Sequence, residues 1–269
     1  MKKIWVIGSI ILVLTIVLIF AIPPLFKEQE KKLDLPFVDK EMENTLINSA
    51  IFYEVIDEKE EFTVECLEQL GWLNIGYTGY YTTLEDIKFC KNLHTLRIGI
   101  PETRTGDAYW KKWCVKPKPE CSERISQIQE ELGEILQECK QLSSLYICND
   151  DGTCEFESLD FLQYGENLTA LWLWKQKDLD YSSIYSNCPN IFILDLSASD
   201  ITDLDGIGNL ENLERLCIQY TNISEAGDIV KLKNLKHIEV YGTPLADNEE
   251  ELSIIRDALP DVEIDFKDY

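Results

Sequence analysis

The chain has 269 residues, 45% of them hydrophobic, enough to bury a sizeable core, and a formal charge of −24 from 25 basic against 49 acidic residues. That balance repels phosphate backbones, which excludes nucleic-acid binding, and it favours a basic or neutral protein partner over an acidic polymer. The acidity itself reads as a solvated outer surface.

Residues 4–26 (IWVIGSIILVLTIVLIFAIPPLF) carry no charge, and about 20 apolar residues suffice to span a bilayer as a helix. A cleaved signal peptide has a shorter apolar core and a small-x-small cleavage site; Phe20-Ala21-Ile22-Pro23-Pro24 offers no good one. The expectation is an uncleaved signal anchor and short stalk over residues 1–32, a single pass of the cell membrane with the C-terminal domain outside. Lys2 and Lys3 face Lys27, Lys31 and Lys32 across the segment, so loop charge alone leaves the orientation open.

From 33 to 69 the pattern turns helical. Asp39 can cap a helix with Met42, Leu46, Ile47 and Ile51 on one side, and Thr63 starts a second one. Then a repeat begins. Laid over each other at an offset of 22, two stretches between Ile201 and Thr243 put Asn212 on Asn234, Leu213 on Leu235, Leu216 on Ile238, Ile218 on Val240 and Thr221 on Thr243. The same step starts at Leu70, Leu93, Leu142, Leu168 and Ile191, with a truncated echo near Val262. In L-x-I the apolar pair points one way and the x the other, so each turn makes a short strand with one dry face, which only stacked neighbours can bury.

The spacing N-L-x-x-L-x-I-x-x-T-x-I resembles the leucine-rich repeat, in the 22-residue form of bacterial internalin-like surface proteins. The resemblance implies an α/β fold: a right-handed solenoid with a concave parallel sheet and helical caps at both ends. Residues 70–269 hold the repeats and a C-terminal cap. There Asp247 to Glu251 open a helix, Leu252, Ile255 and Leu259 face inward and Pro260 stops it. One gap, 49 residues between Leu93 and Leu142, breaks the rhythm, and one extra coil or an insertion over about 100–140 fills it. Ile125, Ile128, Leu132, Ile135 and Leu136 within it have helix spacing, with Ser122 as the cap.

Cys90, Cys139 and Cys188 sit where regular repeats have Leu210 and Leu232, and read as core thiols. Cys114 with Cys121, and Cys148 with Cys154, each close a short loop and could form a disulfide in an oxidising compartment. No CxxC and only two histidines argue against a zinc site, so neither metal nor cofactor is expected. Asp200, Asp203 and Asp205 read as turn formers, and Thr78, Ser199, Thr221 and Thr243 as hydroxyls bonding backbone.

The x of each strand should line the open face, in the order Asn74, Arg97, Tyr146, Trp172, Asp195, Cys217, Glu239. Flanking columns add Arg215 and His237 on one side and Trp174 and Tyr241 on the other. Solvent-facing aromatics are enriched at interaction hot spots, so these residues, Tyr146, Trp172 and Trp174 above all, are the candidate surface for a protein partner or a glycan. The loop carrying Tyr109, Trp110 and Trp113 is the alternative site. A structural envelope role without a specific soluble ligand is a second reading. An enzyme built on Cys217 and His237 is a third, disfavoured by an open wall with no oxyanion donors.

Overall fold

The computed structural model describes residues 36–57, 62–99, 124–149 and 155–267. Eight strands form one sheet in strict sequence order, every neighbouring pair parallel: β1 (Trp72–Asn74), β2 (Thr95–Ile98), β3 (Ser144–Cys148), β4 (Ala170–Trp174), β5 (Ile193–Asp195), β6 (Arg215–Cys217), β7 (His237–Glu239) and β8 (Glu263–Asp265). Because L-x-I alternates, Leu73, Leu96, Leu145, Leu171, Leu194, Leu216 and Ile238 all turn to the same side and are fully buried, as are Ile218 and Val240. The last strand sets Ile264 opposite Ile238, so the echo's frame opens one residue before Val262.

The opposite layer consists of short helical turns that pack on one another from coil to coil, among them 85–89, 160–167, 207–209 and 227–231. The repeat's asparagines tie successive coils together: Asn92, Asn190, Asn212 and Asn234 donate from Nδ2 to the carbonyls of Glu68, Glu166, Pro189 and Glu211, at 2.7–3.1 Å. Thr221 and Thr243 bond the carbonyls of Ile218 and Val240 at 2.8 and 2.7 Å, and Ser199 that of Leu173 at 3.1 Å, as their column implies. Asp203 accepts from the Asp205 amide at 3.2 Å and Asp200 from Asn222 at 2.7 Å, the behaviour of turn formers.

The 49-residue gap is an insertion, since Thr95 pairs directly with Ser144 and no strand comes between. Its helix α3 (Ile125–Glu138), the third after α1 (Lys40–Phe52) and α2 (Val64–Leu67), buries Ile128, Leu132, Ile135 and Leu136 against the turns at 85–89 and 160–167. Ser122 lies outside the described residues, and Arg124 precedes the first turn without a side-chain cap. In α1, Asp39 accepts from the amides of Glu41 and Met42, at 2.7 and 2.9 Å. The buried face is Met42, Leu46, Ser49 and Ala50; Ile47 and Ile51 are only half-buried, because the helix presents its i, i+4, i+7, i+8 stripe inward. α4 (Ser182–Asn187) packs among the helical turns at 160–167 and 207–209, and α5 (Glu249–Ala258), capped by Asn248, buries Leu252 and Ile255 with Leu259 beyond it.

Three buried carboxylates join the first coils to their surroundings. Asp39 also accepts from the amide and hydroxyl of Thr82, Asp86 from the amides of Val38 and Asp39 at 2.9 and 2.8 Å, and Glu131 on α3 from the Leu84 amide at 3.0 Å and the Thr83 hydroxyl. Each carboxylate satisfies backbone donors that a helix or strand would otherwise have paired.

Among the described residues no helix is long and apolar enough to cross a membrane; the expected anchor lies outside them. So do Tyr109, Trp110, Trp113, Cys114, Cys121 and Cys154.

Candidate functional site

The sheet's open face is set by register. Asn74, Arg97, Tyr146, Trp172, Asp195, Cys217, Glu239 and Asp265 are paired strand to strand in one column, and adjacent strands stand about 4.8 Å apart. The column divides into two halves of different chemistry.

Across β1 to β4 it is a ladder of flat groups. The rings of Tyr146 and Trp172 stack at 3.8 Å between centroids and 7° between planes. The Arg97 guanidinium lies 5.2 Å from the Tyr146 ring and 5.5 Å from that of Trp72. Trp172 and Trp174 are half-buried, where the alternation pattern had them exposed. Tyr146 covers one face of Trp172, while Trp174 turns its indole nitrogen inward. That nitrogen has no hydrogen bond of standard geometry, yet its N–H is near enough to the Asp195 carboxylate to favour the ionised form.

Across β5 to β8 the column is acidic and covered. Asp195 is 8%, Cys217 4% and Glu239 6% exposed, which corrects the expectation that Cys217 and Glu239 face solvent. Their own long neighbours close over them: Glu239 accepts from Arg215 and, at 2.9 Å, from Gln219, with His237 Nε2 3.4 Å away. Asp195 folds back to accept the Ser197 amide at 2.9 Å, as Asn74 does with Gly76 at 3.0 Å and Asp265 with Lys267 at 2.9 Å. Burial raises the Asp195 pKa, opposed by its bonds to Ser197 and by Trp174, and Glu239 raises it further. The Glu239 carboxylate raises the pKa of Arg215.

The structure does not bring Cys217 and His237 together as a nucleophile and base. Burial, then the carboxylates of Asp195 and Glu239, push the Cys217 thiol well above its usual value, and the imidazole lies between Glu239 and Glu263, its nitrogens 3.4 and 3.5 Å from their oxygens. Tyr241 stands apart at the strand ends, edge-on to Tyr220 at 5.4 Å. Cys90, Cys139 and Cys188 are buried core thiols, Cys139 pushed up to about 11 and Cys188 to about 12 by desolvation. Cys148 is buried as well. Among the described residues no group of three His, Cys, Asp or Glu side chains is placed to hold a metal ion.

The fold as a whole is similar to solved structures. The internalin inlF of Listeria monocytogenes aligns with 85% of this chain and 68% of its own length, at 16% identity and a TM-score of 0.51. This is a leucine-rich-repeat fold that resembles the internalins. Internalin C2 of the same organism aligns over 86% of this chain and 94% of its own at 18% identity and a TM-score of 0.49. A leucine-rich-repeat protein of Leptospira interrogans aligns over 76% and 62%, at 18% identity and a TM-score of 0.38. No family model and no curated protein matches the sequence. At these identities the likeness is one of fold, and what the leucine-rich-repeat face can do must be read from its own residues.

Proposed function

We propose that this leucine-rich-repeat protein is a binding module that holds a protein partner against the open, concave face of its sheet. The observation that carries this is the stacked Tyr146–Trp172 pair on β3 and β4: two large aromatic groups, half open to solvent and held rigid before any partner arrives. Aromatic anchors of this kind carry a disproportionate share of interface energy, and little rotamer entropy is lost when they are engaged. The same flat platform suits a sugar ring, so a glycan is the competing ligand.

We further place the module at the cell surface, anchored through residues 4–26, on the strength of that uncharged run. External protease on intact cells should then remove the repeats; protection until lysis would refute the placement. The binding reading is tested by capture with the full chain, wild-type against Trp172→Ala. A saturable partner should be recovered by the wild-type, with affinity lower by about 2 kcal/mol for the variant. Equal recovery by both would show that the open face is not the site.

A further inference from the structure

The described residues include four arginines. Arg124, Arg215 and Arg256 are each ion-paired to a glutamate, Glu131, Glu239 and Glu249. Among the described residues Arg97 has no carboxylate partner, in a chain with almost twice as many acids as bases. Its Nε is buried with no acceptor, and so is Nδ2 of Asn74, the residue paired with it in register on the next strand. The Asn74 amide cannot simply be turned over to cure this, because its Oδ1 already accepts the Gly76 amide. Two adjacent buried donors therefore lack an acceptor among the described residues, and groups of that kind are nearly always satisfied in a finished assembly.

The surroundings say what kind of acceptor fits. Trp72 and Tyr146 lie against the guanidinium, 5.5 and 5.2 Å from its carbon, which positions its N–H fork while supplying no lone pair that the fork could use. Arg97 as a whole is only half-buried, so the outer N–H groups of its fork are open to a carboxylate, which offers two oxygens, while Asn74, fully buried, backs the guanidinium from beneath. Thr95 and Ser144, half-buried in one flanking column, continue the wall on that side of the site.

We infer that Arg97, with Asn74 beside it and Trp72 and Tyr146 as walls, is a recognition site for a glutamate or aspartate side chain of the protein partner. This rests on the proposed binding role of the face and adds to it. The partner would present an acidic residue to β1–β3, although the molecule as a whole repels acidic partners, and that repulsion makes the contact selective.

The test uses the full chain labelled at arginine Nε and followed by NMR. Three short peptides blocked at the N-terminus are titrated: a central Glu between leucines with an amidated end, its Gln counterpart, and the Gln peptide with a free terminal carboxylate. The expected result is a shift of the Arg97 signal by the Glu peptide and binding about tenfold tighter than by the Gln peptide. Arg97→Gln should abolish that preference and Arg97→Lys should retain part of it, while Trp172→Ala weakens the Glu and Gln peptides alike. Preference for the free carboxylate overturns the side-chain assignment in favour of a chain end. Trp172-dependent binding without preference for Glu, a preference that survives Arg97→Gln, or an Arg97 signal that no peptide moves overturns the inference. Glu preference that is lost with Arg97→Gln but untouched by Trp172→Ala supports the Arg97 site and instead refutes the aromatic anchor.

Discussion

The Tyr146–Trp172 stack can be weighed separately from any ligand. Both side chains stand on the open face, directly opposite each other on β3 and β4, and a stacked pair is worth about 1 kcal/mol beyond its area. Trp172 is also half-buried, so Trp172→Ala should cost about 1 to 2 kcal/mol of stability. Its neighbour Leu171, fully buried on the other face, should cost about 2 to 5 kcal/mol when truncated to Ala. Urea unfolding of wild-type, Tyr146→Ala, Trp172→Ala and the double variant closes a cycle, in which the double variant should lose less than the summed singles by about 1 kcal/mol. Strict additivity would mean that the rings do not stabilise each other. A Trp172→Ala loss as large as that of Leu171→Ala would mean that the strand presents the opposite face.

Two further outcomes concern the strands' polar column and their ends. Asp195, whose folded pKa is raised chiefly by burial, contributes stability that is fully present below the unfolded carboxylate value of about 4 and is lost as pH rises through the raised value. Asp195→Asn keeps an acceptor for Ser197, the arrangement Asn74 already uses, so its stability relative to wild-type should grow from about pH 4 upward; a pH-independent difference in denaturation midpoint would refute the assignment. Gly76 and Gly99 have φ of +63° and +69°, but a Cβ on Gly76 meets nothing within 4 Å while one on Gly99 falls 1.8 Å from the Cys148 carbonyl oxygen. Gly76→Ala should therefore cost about 1 kcal/mol and Gly99→Ala more than about 3; equal thermal shifts would show that strain alone governs both sites.

The strands and their inward faces were readable because L-x-I dictates them locally, one coil at a time. Burial of Asp195, Cys217 and Glu239 was not readable, for alternation says which face a side chain takes but not how far its neighbours reach over it. Arg215 and Gln219 cover Glu239 from across the strands, and no spacing within one coil records that. The clamp of Asp39, Asp86 and Glu131 joins residues almost fifty positions apart and gives no periodic signal. The turns after β4, β5 and β6 place Lys175, Ala198 and Tyr220 at φ of 57° to 61°, a left-handed conformation normally marked by glycine; only Gly242 marks that position in the next coil. The long gap stayed ambiguous for a related reason, since length is the same for an extra coil and for an insertion until the strand pairing is known.

Why the N-terminal half of the open face should dominate recognition follows from what each half has already committed. Glu239 has taken donors from Arg215 and Gln219, and Asp195 has taken the Ser197 amide. A partner addressing these acids must first break bonds that already satisfy buried charge, and the exchange gains little. Among the described residues the aromatic faces of Tyr146 and Trp172 meet each other and Arg97, and the half-buried guanidinium has no carboxylate partner there. Binding there adds contacts without removing any, on side chains whose rotamers are already fixed by stacking. If the face binds as proposed, the acidic half acts by excluding partners of the same sign and the aromatic half supplies the affinity.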